Sequence, residues 1–352
     1  MPLPHVVLLD HMEMTDISSI PHISVCIPVF QSEQYLEDCL RSVFLQDFDS
    51  FEIIVVSDAS DGRDNKGRSA KKIVKSVTKE CGRLRKKQGL MTVPVRFIEH
   101  RENRGLVEAR RTAFYESHGE YITQVDSDDQ LEEGALKTMY EAAVSFGADM
   151  VHGTSVAGTF APDGTFTPAQ KNIRNAIVYG QLSGHDIFHS WIVDSKIVST
   201  SWAKLIHRSL YQKAYDIIPY TECNMAEDLL LFFFISLNAS CYVGLEDKVY
   251  RYRLHSGMSS DRKIDNLQKW KMICSTASVF TVLSEWVKEN PTAIFPDELE
   301  KLKGMTRFYL KNNLEQLHDT VIPDLQPAAH QLLCDFWGED FVNSLKIPPS
   351  ML

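Results

Sequence analysis

Three carboxylates crowd into four residues, Asp126-Ser127-Asp128-Asp129, directly after the apolar run Tyr121-Ile122-Thr123-Gln124-Val125. Like charges this close repel, and a buried carboxylate is costly unless a cation joins it. On an extended chain, alternate residues point the same way, so Asp126 and Asp128 share one side. Their hard oxygens favour Mg2+ or Mn2+, ions that take few protein ligands and complete their shell with water and phosphates. The same four residues would also make a helix N-cap cluster, and both readings stand on these residues alone. A second acidic pair, Glu227-Asp228, opens the apolar stretch "EDLLLFFFISL", where the helix dipole by itself favours carboxylates. A third group lies in "VYRYRLHSGMSS". Arg251, Arg253 and His255 alternate there on an extended segment and so face one side. A positive strand end suits a diphosphate, and a neutral His255 imidazole would add a metal ligand. The blander reading of a lone histidine is a packed one.

These groups need a frame. "ISVCIPVF" (23–30), "FEIIVVSD" (51–58), "VPVRFIEH" (93–100) and "EYITQVD" (120–126) read as strands buried on both faces, and "ADMVHGT" (148–154) as a fifth. Ser32 is a candidate N-cap for a helix carrying Leu36, Leu40, Val43 and Phe44 inward. Leu106, Ala109, Ala113 and Phe114 mark a second helix, with Gly119 past its end and Arg111 as a solvated arginine. "QLEEGALKTMYEAAVSFG" (130–147) reads as a third, with acidic residues in its first turn. Strands alternating with helices predict a doubly wound α/β sheet, with ligands beyond the carboxyl ends of its strands. Residues 155–200 lack periodicity and read as an irregular insertion facing an acceptor. From about residue 263 onward the apolar spacing is helical, as in Leu267, Trp270, Ile273 and Cys274. Trp270, Trp286 and Trp337 suit packing or an interface there, including one between copies of the chain.

Taken in order and at these intervals, "ISVCIPVF", "IIVVSDASDG", "NRGLVEARRTAF" and "ITQVDSDD" resemble the family 2 glycosyltransferases, over about residues 22–260. Ser57 stands where that family more often has a first Asp, and the following loop is one residue shorter. The resemblance implies a GT-A fold: a Rossmann-like, doubly wound mixed sheet, here with a helical C-terminal extension. It implies a nucleotide-binding half (22–130) and an acceptor-binding half (131–262), after an N-terminal extension (1–21) and before a helical subdomain (263–352). It further implies that Pro28 and Phe30 line the nucleotide pocket, that Asp58 bonds the base, and that Asn103, Gly105 and Arg110 sit near nucleotide and sugar. Asp126 would meet ribose or metal, and Asp128 would be the metal ligand, for Mn2+ or Mg2+. Asp228 would be the base that takes the acceptor proton, with Glu227 capping or positioning. "TSWAKL" is similar to the family's Trp-x-Lys-Leu segment, placing Trp202 as a sugar platform and Lys204 beside it on the acceptor side, with a core tryptophan as the ordinary alternative for Trp202. "YRYRLHSG" is similar to its Tyr-Arg-x-His-x-Gly-Ser segment. The implied reaction is an inverting, metal-dependent transfer of a hexosyl or N-acetylhexosaminyl unit. The donor would be a nucleoside-diphosphate sugar, with UDP favoured. The acceptor would be a hydroxyl of a glycan, polymer or lipid-linked saccharide, in cell-surface polysaccharide synthesis.

Other classes fit less well. A nucleotidyltransferase would carry a glycine-rich basic loop after the first strand, and "PVFQSEQY" has neither glycine nor lysine. A phosphohydrolase would place an aspartate pair there. A non-catalytic nucleotide-binding relative would have no need of both Asp128 and Asp228. The net charge of −10 argues against a general nucleic-acid binder. Seven cysteines without a CxxC pair read as reduced thiols, and the N-terminus lacks the features of a signal peptide. Both lead to an expected cytoplasmic location. Residues 66–88 hold ten Lys/Arg against one Glu, either a solvated helix face or a peripheral contact with anionic headgroups or an anionic polymer.

Overall fold

The computed structural model describes residues 20–161, 164–169, 176–221, 223, 225–254 and 263–345. His255, the turn after it and nearly all of the 1–21 extension lie outside the described residues.

β1 (Ile23–Val29) sits between β2 (Phe51–Ser57) and β4 (Tyr121–Gln124), with β3 (Val95–Glu99) beyond β2, all parallel. Every β1 and β2 residue is buried, as the unbroken apolar runs require. Their side chains alternate between two cores. Val25, Ile27, Ile53 and Val55 pack with α1 (Glu33–Phe44) and α2 (Ala70–Lys87). Cys26, Ile54 and Val56 pack with α3 (Leu106–Glu116). Gly119 approaches β1 so closely that a Cβ there would lie 2.5 Å from the Ser24 nitrogen. That close approach, rather than helix termination, is what requires glycine, because α3 already ends at Glu116.

Beyond β4 the sheet changes character. β9 (Lys204–His207) runs antiparallel to β4 and to β6 (Met150–Phe160), and β10 (Cys241–Arg253) runs parallel to β6. β5 (Gln130–Leu131) closes the edge, antiparallel to β10. β7 (Phe166–Pro168) adds to β6, and β8 (Gly180–Ser183) adds to β10. Two expectations are thereby corrected. The helix predicted from residue 130 begins at Ala135 (α4, Ala135–Phe146), because Gln130–Leu131 pairs as a strand and the Glu132 amide bonds the Val249 carbonyl. Glu132 and Glu133 therefore precede its first turn, and Asp126–Asp129 does not cap it. The 155–200 region is also more regular than its composition suggests. It holds the end of β6, β7, β8 and α5 (His185–Ile192), whose polar strands carry no strong period-2 signal.

After α6 (Arg208–Ile217), α7 (Glu227–Asn238) is buried at every residue from Leu229 to Ser236. A helix apolar all round must be surrounded. It packs against α5, α6 and α9 (Thr276–Glu289), with Trp286 edge-on to Phe233 and Phe234. The C-terminal helices are α8 (Leu267–Cys274), α9, α10 (Pro296–Asp319), α11 (Gln326–Trp337) and α12 (Glu339–Ser344). α9 and α10 share the core of α7 through Phe280, Leu283 and Leu302. A separate cluster gathers Trp270, Leu310 and Leu333, where the Trp270 indole donates to the Ala329 carbonyl at 2.8 Å.

Candidate active site

The ends of β1 and β4, the start of α7 and one face of α10 border a single cavity of about 1090 Å3. Pro28, Phe30, Asp58, Asn103, Asp126, Asp128, Trp202, Glu227 and Asp228 all line it. These residues come from segments 200 positions apart in sequence, and the parallel strand ends and the buried α7 bring them together.

The cation that joins the carboxylates is Arg110. It lies on α3, 2% exposed, and its guanidinium donates to Asp126 Oδ1 at 3.0 Å, to Glu227 Oε1 at 3.0 Å and to Asp228 Oδ1. The Ser201 hydroxyl also donates to Asp228 Oδ1. Among the described residues Asp228 Oδ2 has no hydrogen-bond partner. One arginine does not neutralise three carboxylates. Burial, with Asp228 alongside, pushes Glu227 up to about 8. Burial raises Asp126 to about 6, against the pull of Arg110 and with the push of Asp128 and Asp228. Burial thus favours the protonated form of Glu227.

Asp129 plays a different part from its neighbours. It is buried and accepts from the Tyr250 hydroxyl at 2.9 Å and the Arg253 amide at 2.7 Å. The Asp126 amide donates to the same Tyr250 oxygen at 3.0 Å. Burial and the neighbouring aspartates raise the Asp129 carboxyl well above its usual range. Asp129 thus anchors the loop, while Asp126 and Asp128 face the cavity. Among the described residues no group of three His, Cys, Asp or Glu could hold a metal. Two cavity-facing carboxylates fit an ion such as Mg2+ or Mn2+, which draws its remaining ligands from water and phosphate.

Asp58 is buried and largely committed. His100 Nδ1 lies 2.6 Å from Oδ1, and the Arg104 and Gly105 amides donate to the two oxygens at 2.9 Å each. A carboxylate has about four acceptor positions, so roughly one remains for a base. Gly105, at φ 87°, turns the chain into α3 at this point. Asn103 donates weakly to the Asp58 carbonyl at 3.5 Å.

Several residues sit otherwise than expected. Arg251 and Arg253 do share one side of β10, but neither lines the cavity; Tyr252 between them does. Arg251 pairs with Glu132 at 2.6 Å. Arg253 donates to the Asp128 carbonyl at 2.8 Å and lies over the Phe160 ring at 4.0 Å, so it braces the aspartate loop from behind. Period-2 reasoning found the shared side but not which side is open. Trp202 is buried, stacked on Tyr250 (4.9 Å, 12°) and Tyr252 (5.5 Å, 30°), which leaves it a cavity wall rather than an open platform. Lys204 is 0% exposed, and its ammonium donates to the Thr200 carbonyl at 2.7 Å. It therefore supports the cavity wall through Thr200, and burial pushes it down to about 7. Arg111 is not solvated: it donates to the Tyr215, Ile218 and Pro219 carbonyls at the end of α6. Ser32 precedes α1 but its hydroxyl meets Ser127 at 2.6 Å instead of capping. Ser201, Tyr250 and the α10 wall were not anticipated. Only the Tyr250/Tyr252 alternation in "VYRYR" carried a signal for any of them.

The sheet order β3-β2-β1-β4-β9-β6-β10-β5, with an acidic cavity at the strand ends, defines the GT-A class of fold. Staphylococcus aureus TarS 1–349, solved in complex with UDP-GlcNAc, superposes with a TM-score of 0.53 at 19% identity, covering 92% of this chain and 90% of that one. Residues 24–213 match the profile described as Glycosyl transferase family 2, and the chain belongs to that family. Glycosyltransferase GlyA of Streptococcus pneumoniae serotype 4 is 27% identical over 239 residues, 68% of this chain but 31% of the relative, so the match spans under a third of that protein. Glycosyltransferase GlyG of the same organism is 26% identical over 67% of this chain and 71% of its own length. Poly(ribitol-phosphate) beta-N-acetylglucosaminyltransferase TarS of S. aureus is 25% identical over 65% of this chain and 35% of the relative.

Proposed function

We propose that the protein transfers a sugar, with inversion, from a nucleoside-diphosphate sugar to an acceptor hydroxyl, in the making of a cell-surface polysaccharide on the cytoplasmic side. UDP is the favoured nucleotide and a hexosyl or N-acetylhexosaminyl unit the favoured cargo. Family membership supports the class of reaction, and the UDP-GlcNAc bound by TarS supports the donor. Residues 22–130 form the donor half and 131–262 the acceptor half, with the helices after 263 bracing α7.

The observation that carries the reading is the Arg110 tie. One buried guanidinium links Asp126 on the donor side to Asp228 on the acceptor side, so both carboxylates are held at fixed positions around the place where the bond changes. Asp228 takes the acceptor proton on its open oxygen as the hydroxyl attacks the anomeric carbon. The bond from that carbon to the diphosphate oxygen breaks, and the nucleoside diphosphate leaves with the electron pair. Attack and departure on opposite sides invert the centre. Glu227, whose carboxyl burial holds toward its protonated form, adds less negative charge beside the base. Asp128, with Asp126, would hold a divalent ion, which when bound supplies positive charge to the departing diphosphate. Pro28, Phe30 and Asp58 wall the nucleotide end, and Tyr252 and Trp202 exclude water between the halves.

A thermal-shift series with UDP-, GDP-, CMP- and dTDP-sugars tests the donor reading. UDP-sugar with Mn2+ is expected to raise the melting temperature above either alone, and Asp128→Ala to abolish the Mn2+-dependent part. No stabilisation by any nucleotide sugar would remove the reading.

A further inference from the structure

Glycosyl transfer makes no use of the basic stretch over residues 66–88, and the fold gives that stretch a definite arrangement. α2 turns one side into the core through Ile73, Val74, Val77 and Cys81. On its outer side Lys71, Lys75, Lys79, Arg83 and Lys87 stand four residues apart in one unbroken row, and all five are exposed. Lys72 and Lys86 are exposed beside that row. At 3.6 residues per turn these cations fall within an arc of about 160° and a length of about 24 Å. Among the described residues none of them has an ion pair. The acids nearby are taken: Glu80 by Arg41, and Glu37 by Arg41, Lys66 and Arg68.

This arrangement works against the helix that carries it. Like charges at i and i+4 destabilise a helix, and opposite charges at that spacing stabilise it. The row is made of successive like pairs. The first turn holds Lys71 and Lys72 and no acid, the reverse of what the helix dipole favours. Other exposed helices of the same chain interleave their charges at i+3 or i+4: Glu37 with Arg41 on α1, and Glu300 with Lys303 and Lys311 with Glu315 on α10. A face that only had to be wet would follow the same pattern, so the row answers to something outside the chain. The whole chain carries a net charge of −10, so the positive field is local to this ridge. A helix surface is convex and offers no groove to a linear polymer. A broad basic arc, with Met91 exposed just past its C-terminal end, presents itself to a surface instead. We propose that α2 is a docking face for an anionic phospholipid bilayer, its cations lying over the headgroup phosphates. The ridge is on the α1–α2 side of the sheet, and among the described residues no part of α2 lines the cavity. Attachment therefore leaves the cavity uncovered. It needs neither donor nor acceptor, so it stands apart from the transfer reading.

Co-sedimentation of the full chain with phosphatidylcholine vesicles holding about one-third phosphatidylglycerol, without nucleotide sugar, tests this. The protein should bind these vesicles in low salt, ignore pure phosphatidylcholine, and be released by high salt. Each cation near such a surface contributes about fivefold, so Lys75→Gln, Lys79→Gln and Arg83→Gln together should weaken binding about 100-fold. Lys213→Gln, Lys288→Gln and Lys303→Gln together remove the same charge from helices on the other side of the sheet and should leave binding within a few-fold. Lys79→Glu separates docking from folding. It replaces like pairs in the row by opposite ones, so its urea midpoint should rise while its vesicle binding falls. A lower midpoint would overturn the proposal, since the row would then be structural. Absence of binding to the anionic vesicles, or equal losses in the two triple variants, would overturn it as well. So would tighter binding of soluble polyphosphate than of vesicles at equal phosphate, which would make the ridge a site for a linear polyanion.

Discussion

The two halves of the sheet are built by different means. β3, β2, β1 and β4 are joined by successive helical crossovers, are all parallel, and bury nearly continuous apolar runs. β9, β6, β10 and β5 come from scattered parts of the chain, mix directions, and include register shifts between Gly244 and Tyr250. The first half is a repeated local unit that holds a nucleotide in many proteins. The second is assembled by long-range pairing. Arg110 is where they meet: α3, packed on the parallel strands, places its guanidinium on the α7 carboxylates.

That junction gives the largest expected effect. Removing a buried charge partner typically costs about 3–5 kcal/mol, because the opposing charges are left uncompensated. Arg110→Met should lower stability by about that amount in urea unfolding and abolish transfer. A near-neutral result would mean the halves are coupled by packing alone. Next, Gly119→Ala puts a methyl group against the β1 backbone and should cost about 1–3 kcal/mol. Gly304→Ala, with open space around it on α10 outside the sheet, should instead gain about 0.8–1 kcal/mol from helix propensity. Equal effects would contradict the difference in packing between the two regions.

A separate expected effect is a pH slope. Burial lowers Lys204 from 10.5 to about 7, against the pull of Asp228. The unfolded chain keeps that proton up to about 10.5, while the folded protein has lost it above about 7. Between those values the unfolded state binds more protons, so this group makes stability rise with pH, and below pH 7 its slope vanishes. Urea midpoints at pH 7 and pH 9 should therefore show wild type gaining relative to Lys204→Met. Parallel changes in the two proteins would mean Lys204 stays charged.

Legibility followed the same division. The four parallel strands and α3 could be read because buried runs and helical spacing are local signals. The segment from 155 to 200 could not, because β7 and β8 are short, exposed and polar, and their pairing is set by distant strands. At the site, residue types were legible and orientations were not. Asp126, Asp128, Glu227 and Asp228 do meet around one cavity. Which side of β10 is open, and that Tyr250 and Ser201 support the aspartates, depended on partners far along the chain. Trp202 and Lys204 looked like surface chemistry, but the β10 tyrosines and α7 cover them. The α10 wall of the cavity was read only as helix.

The central claim is that Asp228 removes the acceptor proton in an otherwise intact donor site. The decisive measurement compares Asp228→Asn with the unmodified protein in two readouts on one sample: UDP-sugar affinity with Mn2+, and single-turnover sugar transfer to the acceptor. Affinity should be retained within a few-fold while transfer falls about 10²–10⁴-fold, the usual worth of a positioned base. Transfer at the wild-type rate by Asp228→Asn would contradict the account.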